Sequence, residues 1–297
     1  MKQFILTSLL TFLSLAKMEA QSFKKIETKP LSLTVYNAAE SSFGVASVIV
    51  YGKTDAVLID AQFTLSDAEK VAEEIRKSGK KLKAIYVSHG DPDFYFGIQV
   101  FKKYFPDVTV YASPSTVENI MLTAQKKMDV WGAQMGNLIS NNIVLPQVLK
   151  GNTIELEGQQ LEIIGLTDFP HRTFVWIPSI KAIVGGINVF GNTFHLWMAE
   201  DKETTEKEAN KNWVNALTKI ESLNPTIVIP AHFKKDASLD LISVKYTKNY
   251  IKFYEEALKT NKTSENLIKT LKAKYPNSTL EPALEIGAKV NTGEMKW

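Results

Sequence analysis

The chain has 297 residues, 44% of them hydrophobic, and a formal net charge of +3. That length and apolar share are enough for one large α/β domain with a substantial core. Arg76 and Arg172 are the only arginines and the lysines are spread along the chain, so no nucleic-acid footprint is expected. The absence of cysteine excludes disulfides and thiolate metal sites, and leaves His, Asp, Glu and backbone groups as the available metal donors.

The N-terminus carries Lys2, then the apolar run Phe4 to Ala16, then Met18-Glu19-Ala20. The run is too short for a stable bilayer anchor. Charge, length and position predict a signal peptide over residues 1–20, a mature chain starting near Gln21, and a periplasmic or secreted protein. The plainer alternative is a buried N-terminal helix.

Residues 31–37 and 43–51 are rich in β-branched and aromatic side chains, and Ala56 to Ile59 follows the turn Gly52 to Asp55, so a β-meander is predicted. Ala68, Val71, Ala72 and Ile75 then recur at helical spacing, with Ser66 as the expected N-cap. Residues 82–87 read as a strand, Gly97 to Tyr104 as a helix and Val108 to Ala112 as a strand. A longer helix is expected over 115–140, starting at Ser115 and carrying Met121, Met128, Trp131 and Met135. Such a stripe serves either as core packing or as an apolar lid over a pocket. Strands follow at 153–156, 161–166, 173–177 and 182–184, then a helix over 203–223, a short strand over 226–229, and helices over 239–258, 264–274 and 281–288. Strands with helices between them, repeated twice, fit two packed β-sheets with helices outside. No linker divides the chain, so a single domain over 21–297 is expected, with a helical extension from about 236 to the end.

The stretch Ser88 to Gly97, SHGDPDFYFG, follows a strand directly and crowds His89, Asp91 and Asp93 into five residues. A loop of that form aims several donors at one point, as a metal ion requires. His89, His171 and His232 each follow a predicted strand end, where loops from separated parts of the chain meet. His89, Asp91 and His171 make a candidate three-ligand site, and Asp93 with His232 a candidate second one. Paired sites of this kind activate a water molecule and polarise a carbonyl or phosphoryl group.

LIDAQ at 58–62, SHGDPDF, PHRTF at 170–174 and VIPAHF at 228–233 resemble the metallo-β-lactamase superfamily in order and spacing over roughly residues 30 to 235. The resemblance implies an αββα sandwich, two mixed sheets flanked by helices, with a metal site at one edge, usually zinc. His89, Asp93, His171 and His232 match its motif positions. Asp91 stands where the leading motif, His-x-His-x-Asp-His, has its second His, and Phe94 stands where it has its last. The bridging Asp expected near 182–189 is missing, with Gly185, Gly186 and Asn188 in that region. HGDPDFYFG, GGINVFG and the C-terminal GEMKW are similar to a sub-branch of secreted or periplasmic metallo-hydrolases of this fold. Asp60 ends a strand; the resemblance implies that it buttresses the metal loop, and a plain turn Asp is the alternative.

These readings lead to a hydrolase with a metal-activated water, one firm zinc site (iron or manganese also fit the donors) and a weak or empty second one, in which Asp93 orients the water or takes its proton. The substrate is a small molecule with an ester, lactone, amide (β-lactam-like) or phosphodiester bond, apolar if the helix over 115–140 is a lid. Phe94 and the missing Asp motivate a different reading, a binding protein with a decayed site; a third is redox chemistry on the same fold. Tyr95, Arg172 and His195 are open between packing and substrate contact, and Lys234 and Lys235 between solvated surface and anion attraction.

Overall fold

The computed structural model describes residues 22–195 and 206–296; the leader expected over 1–20 lies outside them. The first half of the chain builds β1 (Ser22–Ile26), β2 (Ser32–Asn37), β3 (Ala46–Tyr51), β4 (Asp55–Ile59), α1 (Leu65–Ser78), β5 (Lys81–Val87), α2 (Pro92–Tyr95), α3 (Ile98–Tyr104), β6 (Thr109–Ala112), α4 (Pro114–Met135) and β7 (Gln147–Val148). The second half builds β8 (Thr153–Leu156), β9 (Gln159–Ile164), β10 (Phe174–Ile177), β11 (Ala182–Val184), β12 (Phe190–Gly191), α5 (Glu206–Ser222), β13 (Ile227–Val228), β14 (His232–Phe233), α6 (Leu241–Thr260), α7 (Ser264–Lys274) and α8 (Glu281–Asn291).

The first sheet runs β1-β2-β3-β4-β5-β6-β7 in chain order. Its first four strands form an antiparallel meander, and β4 to β7 pair in parallel with helices as crossovers. The second sheet has the order β13-β11-β10-β9-β8, antiparallel except where β13 joins β11 in parallel after α5. A parallel pair, β12 and β14, lies apart from both.

Period-two alternation divides the apolar side chains into two cores. Val48, Val50, Val57, Ile59 and Tyr86 pack with Leu161, Ile163, Val175, Ile177 and Val184 between the sheets. Ile49, Leu58 and Ile85 turn the other way, toward Val71, Ile75 and Phe101 of the covering helices. Both faces of the first sheet are therefore buried, which is why its strands read as nearly unbroken apolar runs. The two-sheet architecture flanked by helices is the αββα arrangement expected from the sequence.

The helix starts differ from expectation in informative ways. Thr64 rather than Ser66 caps α1, its hydroxyl accepting from Asp67 N–H at 3.2 Å. Ser113 rather than Ser115 caps α4, with Pro114 at the first helical position and Thr116 N–H donating to Ser113 Oγ at 3.1 Å. The strand expected over 43–51 begins only at Ala46; a 3-10 turn (Glu40–Ser42) precedes it, and Phe43 adopts φ +59°.

One carboxylate ties the two sheets together. Glu157, at the β8–β9 hairpin, accepts from the backbone N–H groups of Lys53, Thr54 and Asp55 at the β3–β4 turn, at 2.6, 2.7 and 2.8 Å. These three donors lower its pKa to about 2.

Candidate active site

The parallel strands of the first sheet end on one edge, and their loops carry the chemistry. Asp60 follows β4, His89 follows β5, α4 begins after β6, and His232 enters with β14. Ligand sites of open α/β sheets lie at such strand ends.

The SHGDPDFYFG loop is held from beneath. Asp60 accepts from Ser88 N–H at 2.7 Å and from Ser88 Oγ at 2.7 and 2.9 Å. Ser88 Oγ in turn accepts from Gly186 N–H at 2.7 Å, so one carboxylate links the loop to the turn after β11. Asp60 has the buttress contacts expected of it. Gly185 and Gly186 sit at φ +66° and +76°, and a Cβ on Gly186 would lie 2.2 Å from the Thr173 carbonyl oxygen, so this turn requires glycine. Asp60 and Gln62 also have positive φ, +64° and +71°. Such backbone persists only where the surroundings hold it. Here Ala61 N–H donates to Phe94 O at 2.7 Å and Gly97 N–H to Gln62 O at 2.9 Å.

Four of the five candidate residues meet above this support. His232 is fully buried; its Nδ1 lies 2.9 Å from Phe43 O, and its Nε2, 3.5 Å from Asp93 Oδ2, has no hydrogen-bond partner. The Phe43 carbonyl places the ring proton on Nδ1 and turns the Nε2 lone pair toward Asp93. Burial lowers the His232 pKa to about 4. Burial, reinforced by the neighbouring Asp91 charge, raises the buried Asp93 carboxyl well above its ordinary value. Asp91 moves the opposite way. Burial pushes it up, but the Lys127 ammonium and then His89 together outweigh that, and its pKa falls. Asp91 Oδ2 lies 3.5 Å from His89 Nδ1, and Asp91 N–H donates to the same nitrogen at 3.2 Å. The Phe94 ring stands beside both histidines, 5.3 Å from the His89 ring and 6.0 Å from the His232 ring, centre to centre.

His171 is exposed on the 3-10 turn Pro170–Arg172. Arg172 is buried, with its guanidinium 4.0 Å over the Trp213 ring, and Asn188 Nδ2 donates to Arg172 O at 2.8 Å. Asn188, near the place expected for the bridging Asp, thus braces the His171 turn. His195 is buried between Phe190 and Tyr250, ring centres 4.3 and 3.9 Å away, in a packing position. Tyr95 is buried, and its hydroxyl has no hydrogen-bond partner. Lys234 pairs with Asp236 at the surface, at 3.7 Å.

Helix α4 covers the loop. Trp131 packs edge-on against Phe43 and Phe63, both at 5.3 Å. Met128 and Met135 join it against the core, but Met121 points to solvent at 67% exposure, so the methionine stripe is only partly a packing face. Lys127 on the same helix reaches Gly90 O at 2.7 Å and Asp91 Oδ1 at 3.2 Å. Lysine 127 carried no signal in the sequence beyond its helical position.

Residues 42–178 match the sequence profile of the metallo-β-lactamase superfamily. The match spans a little under half of the chain and is a likeness to that superfamily. The metallo-β-lactamase DIM-1 superposes with a TM-score of 0.54 at 21% identity, over 80% of this chain and 99% of that one. A metallo-β-lactamase from Pontibacter korlensis gives 0.54 at 19% identity, over 78% and 99%. TMB-1 gives 0.53 at 21% identity, over 79% and 98%. At these identities the likeness is one of fold. No curated protein sequence matches the chain. The metallo-β-lactamase fold is consistent with metal-dependent hydrolysis.

The residues present do not fit the metal pair that this fold implies. Among the described residues, no three His, Asp or Glu side chains are grouped so as to hold an ion. His171, the third member of the proposed set, lies exposed on its turn. His89 Nδ1 is engaged by Asp91 N–H, and Asp91 Oδ1 by the Lys127 ammonium. At the second position only Asp93 and His232 remain, with Phe94 packed beside them.

Proposed function

We propose that this chain is a hydrolase of small molecules bearing an ester, lactone, amide or phosphodiester bond, working at the cluster of His89, Asp91, Asp93 and His232. The observation that carries this reading is the buried His232 Nε2, without a hydrogen-bond partner and facing Asp93 at 3.5 Å. Burial disfavours charge on both groups, so the pair holds one proton between Nε2 and Oδ2. Such a pair accepts a proton from an attacking water and returns it to the leaving group. Asp91, kept ionised beside Lys127, stays a carboxylate; two acids with divergent environments take divergent roles. A place outside the cytoplasm is part of this proposal, resting on Lys2 and the apolar run Phe4 to Ala16, and is checked by whether the mature protein begins near Gln21.

A panel of chromogenic esters, lactones, β-lactams and phosphodiesters, assayed before and after chelation, tests the reading. Turnover lost in both Asp93→Asn and His232→Gln is expected; turnover unchanged in both, or absent on every substrate, overturns it.

A second reading, a binding protein without turnover, is favoured by the closure of the site. His89, Asp93 and His232 are 9%, 7% and 0% exposed beneath α4. Ligand-dependent stabilisation with no product formed on the same panel distinguishes it.

A further inference from the structure

A carboxylate in a metal loop needs a positive partner, and here one is already in place. Lys127 Nζ lies 2.7 Å from Gly90 O, 3.2 Å from Asp91 Oδ1 and 3.3 Å from Asn119 Oδ1. An ammonium has three N–H donors and no acceptor, so these three oxygens match its capacity. The Lys127 side chain is 19% exposed and that of Asp91 30%, which puts the pair in a partly desolvated setting where screening is weak. Two of the three oxygens belong to the loop, and the third belongs to α4 itself.

We propose that Lys127 is a positioning residue that supplies the resident cation of the SHGDPDFYFG loop, balancing Asp91 where the superfamily uses a metal ion and latching α4 over the site. The disagreement between this donor set and the expected metal centre follows from it. With Asp91 Oδ1 committed to the ammonium, and His89 Nδ1 accepting from Asp91 N–H, the first two motif positions are turned toward each other and toward Lys127. The close fit of α4 agrees. A Cβ on Gly90 would lie 2.3 Å from Asn119 Oδ1, so the loop and the helix are in contact at the residue whose carbonyl Lys127 holds. The latch reaches the loop from a helix 37 residues away in sequence, and Trp131 seats the same helix one turn further on.

The test reads metal content and melting, not turnover, so its failure is separable from failure of the hydrolase reading. The full mature chain is purified without chelators and its metal quantified, then melted with and without added Zn²⁺. The wild type is expected to carry far less than one ion per chain and to show no shift with Zn²⁺. Lys127→Met is expected to melt about 5 °C lower and to regain most of that loss with Zn²⁺, because an unbalanced Asp91 recruits the ion. Lys127→Arg is expected to melt close to wild type with no Zn²⁺ response. Adding Asp91→Asn to Lys127→Met should abolish the Zn²⁺ response, which a merely structural lysine would not predict. A stoichiometric ion in the wild type that Asp91→Asn loses overturns the proposal. So does Lys127→Met melting like wild type and indifferent to Zn²⁺. Should Lys127→Met not fold, the wild-type metal content and the Lys127→Arg melt decide between the same two outcomes.

Discussion

Asp60 and Ser88 are joined through both backbone and side chain, at 2.7 Å from the amide and 2.7 Å from the hydroxyl, across neighbouring strand ends of the first sheet. The hydroxyl also accepts from Gly186 N–H at 2.7 Å. We predict that Ser88→Ala destabilises the fold by about 2–4 kcal/mol, since it removes a bond to a buried carboxyl and leaves a buried amide without its acceptor. Urea unfolding measures this; a change below about 0.5 kcal/mol would show that the buttress is not structural.

The same carboxyl sets a pH dependence. Burial raises Asp60 to about 7, although the Ser88 amide and hydroxyl pull the other way. The folded-state pKa lies above the unfolded one of about 4, so the folded chain binds the extra proton. Its stabilising contribution is complete below about pH 4 and is lost as pH rises through about 7. Asp60→Asn, which cannot titrate, should flatten the stability profile between about pH 4 and 7. Parallel profiles for the two proteins would contradict this assignment.

For the His232–Asp93 pair the expected loss is in turnover. Asp93→Asn and His232→Gln should each lower kcat by about 100-fold or more on whichever substrate the panel identifies, with KM changing less. Circular dichroism establishes that the variants are folded. A loss confined to KM would instead assign the pair to substrate binding.

Gly97 closes the loop where there is no room for a side chain. A Cβ there would lie 2.0 Å from the Ala61 carbonyl oxygen and 2.7 Å from Ala68 Cβ. Gly97→Ala should therefore cost about 3 kcal/mol or more, because the obstacle is backbone and cannot rotate away. Soluble expression and thermal melting read the effect, and a near-native melt would disprove the contact.

Trp131 anchors the covering helix. Trp131→Ala should raise hydrogen exchange along α4 while leaving β3, β4 and β5 protected, and should cost about 2 kcal/mol at this half-buried position. Uniform loss of protection would mean that α4 unfolds only with the whole domain.

Much of the fold was legible because the signals were local. Ala68, Val71, Ala72 and Ile75 repeat at helical spacing, and the runs of β2 to β5 are long enough to declare strands. The strands β7, β12 and β14 were not legible: each has two residues, and two residues carry no period. β14 matters most, because pairing with β12 sets His232 in place.

The candidate site divides in the same way. SHGDPDFYFG and its companions carried the resemblance to the superfamily and its fold, and the sequence by itself determined that Phe94 and the region of Asn188 offer no carboxylate or imidazole to a second ion. Those are statements about side-chain chemistry, which the order of residues contains in full. Whether the remaining donors converge is a statement about directions in space. Only the tertiary structure turned His232 Nε2 toward Asp93, left His171 exposed, and brought Lys127 from α4 onto Asp91. A lysine within a helix is by default a solvated charge; packing of that helix over the strand ends makes this one part of the loop.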